Sequence, residues 1–366
     1  MRSLWWRQVK AVIRLELKKT FFAKRGLWIY VVAALPVFLY IAYAVAMSNQ
    51  QHRTVKLARQ SEKPLTYQDL RAIKSGMMKE EVGAILGKPP VNFHWTERRP
   101  VGPNSTEEIV HEEYRYSDGQ NDLYLSMSNG KVQSVNIREA YNLGADAIMF
   151  AGVFQFFFLR LAIFFGCLGI FMNLFRGEVL DKSLHFYFLA PIRREVLMAG
   201  KFLAGLLATC TIFVVSELLQ TAAFLWHFNA NAKELYLYHH HGLEHMAIYA
   251  GVTVLACIGY GAFFLVAGML FRNPIIPAAA ILIWEGINPF LPAILKQFSV
   301  IYYLKSLCPV EIPVSPGTPA LLALLISNAD PVSPPLAILG ILFVAFTALV
   351  VSSVQVRRME VNYTTE

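Results

Sequence analysis

Charged side chains are scarce in this sequence: they make up 16% of its 366 residues, whereas a soluble domain usually carries about 25%. Hydrophobic residues make up 55%, and the mean hydropathy is +0.43. A protein with so few charges cannot cover its whole surface with groups that face water. The shortage argues against an ordinary soluble protein and indicates that much of the chain faces lipid.

The sequence also lacks the patterns that mark a metal site, a disulfide framework or a nucleotide site. Its four cysteines form no CxxC pair, so neither zinc binding nor a disulfide framework is indicated. The run from Gly83 to Lys88 has three residues between its glycines, where a phosphate loop has four, and Pro89 stands where Ser or Thr is required. We predict no catalytic residue, no metal ligand and no cofactor bound by this chain.

Six apolar runs are long enough to cross a bilayer, for which a helix needs about 20 mostly apolar residues. The runs cover residues 27–47, 147–174, 196–226, 246–271, 275 to about 295, and 336–356. The sequence therefore predicts an α-helical polytopic membrane protein with six transmembrane helices. Residues 144–366 would form the larger membrane domain, and residues 27–47 the first span.

Basic residues orient the predicted spans, because cytoplasmic loops carry an excess of Lys and Arg. Eight basic residues precede the first run, and Glu16 is the one acid among them. Both chain ends are therefore predicted to be cytoplasmic, in the inner membrane of a bacterium. This placement explains the net charge of +8 better than nucleic-acid binding does. Basic residues of later loops fall on the same side: Arg176, Lys182, Arg193, Arg194, Lys201, Arg272, Arg357 and Arg358.

Residues 1–26 predict an amphipathic helix that lies in the cytoplasmic interface. Apolar residues, among them Trp5 and Trp6, recur at helical spacing with Lys and Arg between them. The alternative is a simple charged segment before the first span, and the regular spacing favours the helix.

Residues 48–143 are more polar and predict a small α+β domain on the extracytoplasmic side. One short helix is expected to begin at Thr66, and a second to end at Gly87, shortly before Pro89. After a loop with Pro and Gly, the turn signal Asn129-Gly130 indicates a hairpin. Strand-like stretches lie at residues 113–116, 123–127 and 132–135.

Two stretches of this region carry a resemblance. GMMKEEVGAILGKPP, followed by YRYSDGQNDLYLSMSNGKVQSV, resembles the small lipoprotein of the outer-membrane β-barrel assembly machinery. The same α/β unit occurs in β-lactamase inhibitory proteins, and the resemblance covers roughly 80 residues by inspection. It implies a docking module, and hence a protein partner outside the cytoplasm.

The segment 176–195, between the second and third runs, mixes charged with apolar residues and predicts a short amphipathic helix that ends at Pro191. It resembles ABC-2 type exporter permeases, which carry an Arg-Gly-Glu triplet and then a short helix with Leu, Pro, Arg and Leu. Residues that match this pattern are Arg176, Gly177, Glu178, Leu189, Pro191, Arg193 and Leu197.

This resemblance implies a permease dimer, formed with a second copy or a paralogue, and two copies of a separate ATPase that bind ATP and Mg. It also implies that the segment docks onto the ATPase and couples hydrolysis to the spans. The alternative is an ordinary basic loop, since every cytoplasmic loop carries Lys or Arg. Coupling residues implied by the resemblance are Arg176, Glu178, Asp181, Lys182, Pro191 and Arg193.

The candidates for a substrate pathway are charged residues inside the predicted spans: Arg160, Glu217 and Glu285. Such residues usually face the interior of a helix bundle and often mark a substrate pathway, although a structural ion pair would meet the same energetic cost. A pairing of Arg160 with Glu285 is one hypothesis. His241 and His245 are four residues apart and could bind a metal on a helix, but a solvated loop is the interpretation we favour.

Two functions fit these features. The first is the permease subunit of an ATP-driven exporter that moves a hydrophobic or amphipathic substrate (lipid, glycolipid, peptide or drug) outward. The second is a membrane-anchored scaffold for envelope assembly, whose outer domain docks a partner protein. The interfacial helix and the segment 176–195 favour the first.

Overall fold

The computed structural model describes residues 2–22, 26–102, 105–139, 142–180, 189, 192–271, 273, 275–313 and 332–358. The chain divides into two compact units. The first, called the helical unit, comprises Met1–Tyr40, Ala147–Leu225 and Ala230–Glu366. The second, called the sheet unit, comprises Ile41–Asp146 and Trp226–Asn229.

Helices dominate the described part of the chain. In chain order they are α1 (Arg2–Phe22), α2 (Leu27–Gln60), α3 (Tyr67–Ala72), α4 (Lys79–Leu86), α5 (Leu143–Val153), a π-helix (Phe154–Ile163), α6 (Phe164–Phe171), α7 (Asn173–Leu180), α8 (Arg194–Trp226), α9 (Ala230–Glu234), a second π-helix (Leu235–His239), α10 (Gly242–Leu270), α11 (Ile275–Gly286), a 3₁₀-helix (Asn288–Phe290), α12 (Ala293–Lys296), α13 (Val300–Ser306) and α14 (Pro334–Arg358).

Five helical stretches of the described chain are long and apolar enough to cross a membrane. They are Leu27–Gln60, Leu143–Glu178, Arg194–Trp226, Gly242–Leu270 and Pro334–Arg358. Five of the six predicted spans lie within these stretches, apart from residue 271, which follows Leu270. The described chain thus has the several long apolar helices expected of a polytopic membrane protein.

The predicted fifth span, residues 275 to about 295, is not a single long helix, and the count of six spans is not confirmed. Helix α11 has 12 residues, or about 18 Å at 1.5 Å per residue. The hydrocarbon core of a bilayer is about 30 Å thick. Pro289 and Pro292 explain the break, because proline lacks the N–H that a continuing helix would need.

Helix α2 continues well past residue 47, where its apolar run ends, and reaches Gln60. Residues 48–60 contain neither Gly nor Pro and are rich in Gln, Lys, Arg, Ala and Leu, which favour helix whether or not they face lipid. Apolarity therefore located the span but not the end of the helix.

The sheet unit contains a four-stranded antiparallel sheet in the order β1-β2-β3-β4. Its strands are β1 (Val91–Gly102), β2 (Ser105–Ser117), β3 (Asn121–Ser128) and β4 (Lys131–Glu139). Both predicted helices are present as α3 and α4. Together with the sheet they enclose an apolar core that includes Leu70, Val82, Leu86, Tyr116, Leu123, Leu125, Met127 and Val132.

Local signals explain most of these boundaries. Thr66 caps α3 by accepting a hydrogen bond from the Asp69 N–H, while the Asp69 carboxylate accepts one from the Thr66 N–H. Asn129 and Gly130 both have positive φ, as the hairpin signal predicts. The strand that the sequence did not predict is β1. Its Phe93 and Trp95 are exposed, so it lacks a buried apolar alternation.

Candidate functional site

Three of the six predicted coupling residues can be placed: Arg176, Glu178 and Arg193. Asp181, Lys182 and Pro191 lie outside the described residues. The three placed residues differ in environment, which separates a role inside the protein from a role at its surface.

Glu178 belongs to a group of charges that we call the lysine cluster: Glu16, Glu178 and Lys201, which are buried, and Lys19, whose side chain is half exposed. The Lys201 ammonium lies 2.8 Å from Glu16 Oε1 and 2.8 Å from Glu178 Oε1. It also donates a hydrogen bond of 2.8 Å to the Leu174 carbonyl. Lys19 approaches Glu178 Oε1 at 3.2 Å. Among the described residues, two lysines thus lie beside two carboxylates, and pairing of this kind lowers the cost of removing a charge from water.

Close packing beside the lysine cluster brings α1 against α8. Lys201 has no exposed side-chain surface, and its neighbour Gly200 faces Val12 of α1. A Cβ atom at position 200 would lie 2.9 Å from Val12 Cβ, which is closer than packed side chains approach. Glycine at this position therefore lets the backbone of α8 come near enough for the side chains of Lys201 and Glu16 to meet.

Arg176 and Arg193 have more open environments than Glu178. Arg176 is half-buried, and its Nη1 donates a hydrogen bond of 3.2 Å to the carbonyl of Phe271, just after α10. Arg193 is exposed, and its guanidinium lies 4.9 Å from the ring centroid of Trp5, a cation–π distance. Among the three, Arg193 is the side chain that a partner protein could reach.

The last residues of the segment 176–195 also contact the end of α14. Arg194 Nη1 donates to the carbonyls of Val356 and Arg357, at 3.5 Å and 2.9 Å. Glu195 forms an ion pair of 2.7 Å with Arg357. The positive side chain of Arg194 thus lies at the carbonyl end of a helix, where the helix dipole favours cations.

The three predicted pathway residues lie at separate places in the helical unit. Glu217 is fully buried on α8 and accepts a hydrogen bond of 3.1 Å from Thr221. Glu285 of α11 accepts from Ser299 Oγ at 2.7 Å and from the N–H groups of Val300 and Ile301 at 3.0 Å and 2.9 Å. Its carboxylate therefore lies at the start of α13.

Arg160 lies in the π-helix of the second span, with its guanidinium 5.6 Å from the ring centroid of Phe156. Its charge is near enough to interact with Glu285, but no ion pair between them is found in the described chain. The pairing of Arg160 with Glu285 stays a prediction. π-helical turns are rare and frequent at functional sites, so the position of Arg160 keeps it a candidate.

An apolar cavity of about 750 Å³ lies between α10, α11 and α14. Trp284, Phe343 and Phe263 are among the residues that line it, and Glu285 and Gln297 add polar atoms. Its size and composition fall in the range of small-molecule sites, which are mostly apolar with a few polar groups. The cavity brings one of the three pathway candidates, Glu285, to a space that a ligand could enter.

The histidines do not assemble a metal site in the part of the chain that is described. His241 Nδ1 lies 2.9 Å from Glu244 Oε2, and both side chains are exposed. No group of three or more His, Cys, Asp or Glu side chains with metal-binding geometry occurs among the described residues.

The sheet unit contains a second buried polar group, called the histidine network: Tyr43, Asp146 and His227. The Tyr43 hydroxyl donates to Asp146 Oδ1 at 2.5 Å, and His227 Nε2 lies 3.2 Å from Asp146 Oδ2. Gln51 donates to the His227 carbonyl at 3.1 Å, and the Tyr43 ring meets the imidazole edge-on at 5.5 Å. The side chain of His227 has no exposed surface.

Two further charged groups of the sheet unit show how environment changes acidity. Burial raises the pKa of Asp122, although Thr54 donates a hydrogen bond of 3.1 Å to its carboxylate. Burial alone would raise the pKa of Glu112, but hydrogen bonds from Lys79 and Tyr114 lower it below its usual range. The Lys79 ammonium lies 2.7 Å from Glu112, and this hydrogen bond raises the pKa of Lys79.

Sequence reasoning missed the lysine cluster and the histidine network. Lys201 was assigned to a basic loop, although it lies inside the apolar run 196–226, and a lysine within a span needs a partner. Glu16 is the one acid among eight basic residues. The signal in the sequence was that each residue differs from its surroundings: one is a lysine in an apolar run, and the other is an acid among basic residues. Nothing in their spacing indicates that the two form a pair.

The family model of the ABC-2 family transporter protein matches residues 11–299, which is more than three quarters of the chain. No curated protein and no solved structure matches the chain. The matched range includes the second half of α1, the sheet unit, the segment 176–195 and four of the five long apolar helical stretches. The chain therefore belongs to the ABC-2 family transporter proteins.

Proposed function

We propose that the chain is the permease subunit of an ATP-driven exporter in a bacterial inner membrane, and that it moves a hydrophobic or amphipathic substrate outward. The observation that carries this proposal is the family match over residues 11–299. Five long apolar helical stretches support it, as does the concentration of basic residues in α1. Both chain ends are assigned to the cytoplasm and residues 48–143 to the outer side.

The energy for transport is assigned to a separate ATPase, present in two copies with ATP and Mg, acting on a pair of permease chains. In the proposal the ATPase docks at the segment 176–195. Arg193 supports a contact role because it is exposed. Glu178 supports an internal role because it is buried in the lysine cluster. Asp181, Lys182 and Pro191 remain proposed members of the docking surface.

For the substrate pathway we assign the apolar cavity with Glu285, together with Arg160 and Glu217. An apolar lining with a few polar atoms suits a molecule that has a long apolar part and one polar end. The sheet unit is assigned to docking a protein partner, since exposed Phe93 and Trp95 on β1 leave apolar surface in water. Lipid, glycolipid, peptide and drug all remain within this class of substrate.

The proposal is tested by purifying the full-length chain from its native membrane into lipid nanodiscs and identifying an ATPase that purifies with it. We expect a stable complex in which the permease stimulates ATP hydrolysis, and we expect Arg193→Glu to weaken both. Arg138→Glu is the matched control, since it reverses an exposed arginine on strand β4. Equal binding and stimulation by the Arg193 variant and wild type would show that the docking assignment is wrong.

The scaffold alternative makes the opposite expectation. If no ATPase binds the wild-type chain while the sheet unit binds an envelope protein, anchoring rather than transport is the function. A complex that hydrolyses ATP only when the permease is present excludes that alternative.

A further inference from the structure

Both ends of the segment 176–195 are fixed at the same buried point. Glu178 lies near its start, and Lys201 lies on α8 just after its end. Their side chains form an ion pair of 2.8 Å. Whatever moves this segment must therefore act on the lysine cluster, because the chain enters and leaves the segment there.

The lysine cluster also holds the interfacial helix. Glu16 and Lys19 project from α1 and pair with Lys201 and Glu178, respectively. Val12 of α1 packs against Gly200, where a Cβ atom would be only 2.9 Å away. Two turns of α1 are therefore joined to α8 and α7 by close packing and by ion pairs.

We propose that Lys201 is a positioning residue for energy coupling: through Glu178 and Glu16 it makes α1 move with the two ends of the segment 176–195. This inference rests on the proposed function, and it goes beyond it by assigning Lys201 and Glu16 a role in transmission. A lysine suits the task because its ammonium offers three donors, and its acceptors among the described residues include Glu16, Glu178 and the Leu174 carbonyl.

The ion pairs of the lysine cluster explain why the connection between α1 and α8 is specific. Removing one member of a buried ion pair leaves the other charge uncompensated, so the arrangement resists separation of α1 from α8. The ion pairs add a directional requirement to the apolar packing of Val12 against Gly200, because each carboxylate must face the Lys201 ammonium. The lysine cluster thus fixes the register of α1 along α8.

The first test uses the isolated full-length chain and needs no ATPase. Hydrogen exchange of α1 is measured for wild type, Lys201→Met, Glu16→Gln and the control Lys18→Met, which removes an exposed lysine of α1. We expect α1 to exchange at least about tenfold faster in Lys201→Met, because the variant loses the buried ammonium whose ion pairs with Glu16 and Glu178 join α1 and α7 to α8, and this loss favours local opening. Glu16→Gln is the milder variant, and it keeps Lys201 with Glu178 and the Leu174 carbonyl. If α1 exchanges at the wild-type rate in both variants, the lysine cluster does not hold α1 to α8.

The second test measures transmission in the complex with the ATPase, using ATP and orthovanadate as the trapping probe. In wild type and Lys18→Met, trapping should change exchange both around the segment 176–195 and in α1. In Lys201→Met and Glu16→Gln the segment should still respond, while the response of α1 is lost.

If Lys201 only stabilised the fold, its substitution would not remove the response of α1 while leaving that of the segment 176–195. If α1 of the Lys201 variant responds to trapping as wild type does, the coupling role is wrong. If wild type binds no ATPase at all, the proposed function fails, and the exchange comparison on the isolated chain still decides whether the lysine cluster holds α1 to α8.

Discussion

The lysine cluster of the helical unit and the histidine network of the sheet unit both bury a carboxylate, but they neutralise it differently. Glu16 and Glu178 meet lysines at 2.8–3.2 Å. Asp146 meets a phenol and an imidazole. An ammonium offers three donors and no acceptor, whereas a phenol and an imidazole are aromatic groups with one donor each in their neutral forms. The first arrangement is held by ion pairs, and the second by hydrogen bonds with aromatic side chains.

The difference teaches where each group can be used. An ion cluster suits a connection that must not open during a working cycle, because separating buried charges is costly. A hydrogen-bonded network suits a part of the protein that only has to keep its fold, because the loss of one such bond costs less. The predictions below test this difference between the two groups, in order from the largest expected effect to the smallest.

Lys201→Met should give the largest loss of stability. It leaves Glu16 without the cation that lies 2.8 Å away, and breaking a buried ion pair costs about 3–5 kcal/mol. The free energy of unfolding of the full chain is measured by titration with sodium dodecyl sulfate. Lys18→Met should stay within about 0.5 kcal/mol of wild type, as exposed substitutions usually do. Similar losses in both variants would contradict a special role for the buried lysine.

His227→Phe should have an intermediate effect. The phenylalanine ring can keep the edge-on packing against Tyr43, but it removes the hydrogen-bond partner 3.2 Å from Asp146. Loss of such a partner for a buried group costs about 1–3 kcal/mol. Hydrogen exchange of β2 to β4 in the full chain reports on the sheet unit. A loss as large as that of Lys201→Met would remove the contrast between the two groups.

Asp122→Asn should change pH dependence more than stability at any one pH. Burial raises the pKa of Asp122 in the folded protein, so the folded state holds this proton more tightly than the unfolded state. The stabilising contribution of the protonated form is therefore present below the unfolded pKa and is lost as pH rises through the folded pKa. Protection of β3 should fall from acid to neutral pH in wild type, and this dependence should weaken in the variant. An unchanged pH profile would show that another group is responsible.

Lys79→Met should have the smallest effect. Its ion pair with Glu112 is as short as those of the lysine cluster, at 2.7 Å, but the lysine side chain is 47% exposed. Water screens such a pair, and its contribution is below about 1 kcal/mol. Thermal unfolding of the full chain, compared with Lys201→Met, tests whether burial rather than distance sets the strength.

Sequence patterns predicted the parts of the fold that depend on local composition. Apolar runs located five long helical stretches, and the Asn129-Gly130 turn located the hairpin between β3 and β4. The early end of α11 could have been inferred from Pro289 and Pro292, because proline breaks a helix regardless of the apolar residues around it. Strand β1 could not be inferred, because its pairing with β2 holds it in place while its side chains stay exposed.

The sites were harder to predict than the fold. Arg160, Glu217 and Glu285 were recognised as charges in apolar surroundings, but the sequence did not give the partners of Glu285, which include two backbone N–H groups. Glu16 and Lys201 are 185 positions apart. Their pairing depends on how α1 packs against α8, and packing of distant helices has no signature in either segment alone.

The π-helix at Phe154–Ile163 has a consequence for how the length of this protein can vary. Its backbone hydrogen bonds join residues five apart, so it holds more residues per turn than an α-helix. A deletion of one residue here can be absorbed by tightening a turn, whereas the same deletion in α6 would rotate every later side chain by about 100°. Among related sequences, we expect insertions and deletions within this span to concentrate at the π-helix, where the rest of the bundle keeps its register.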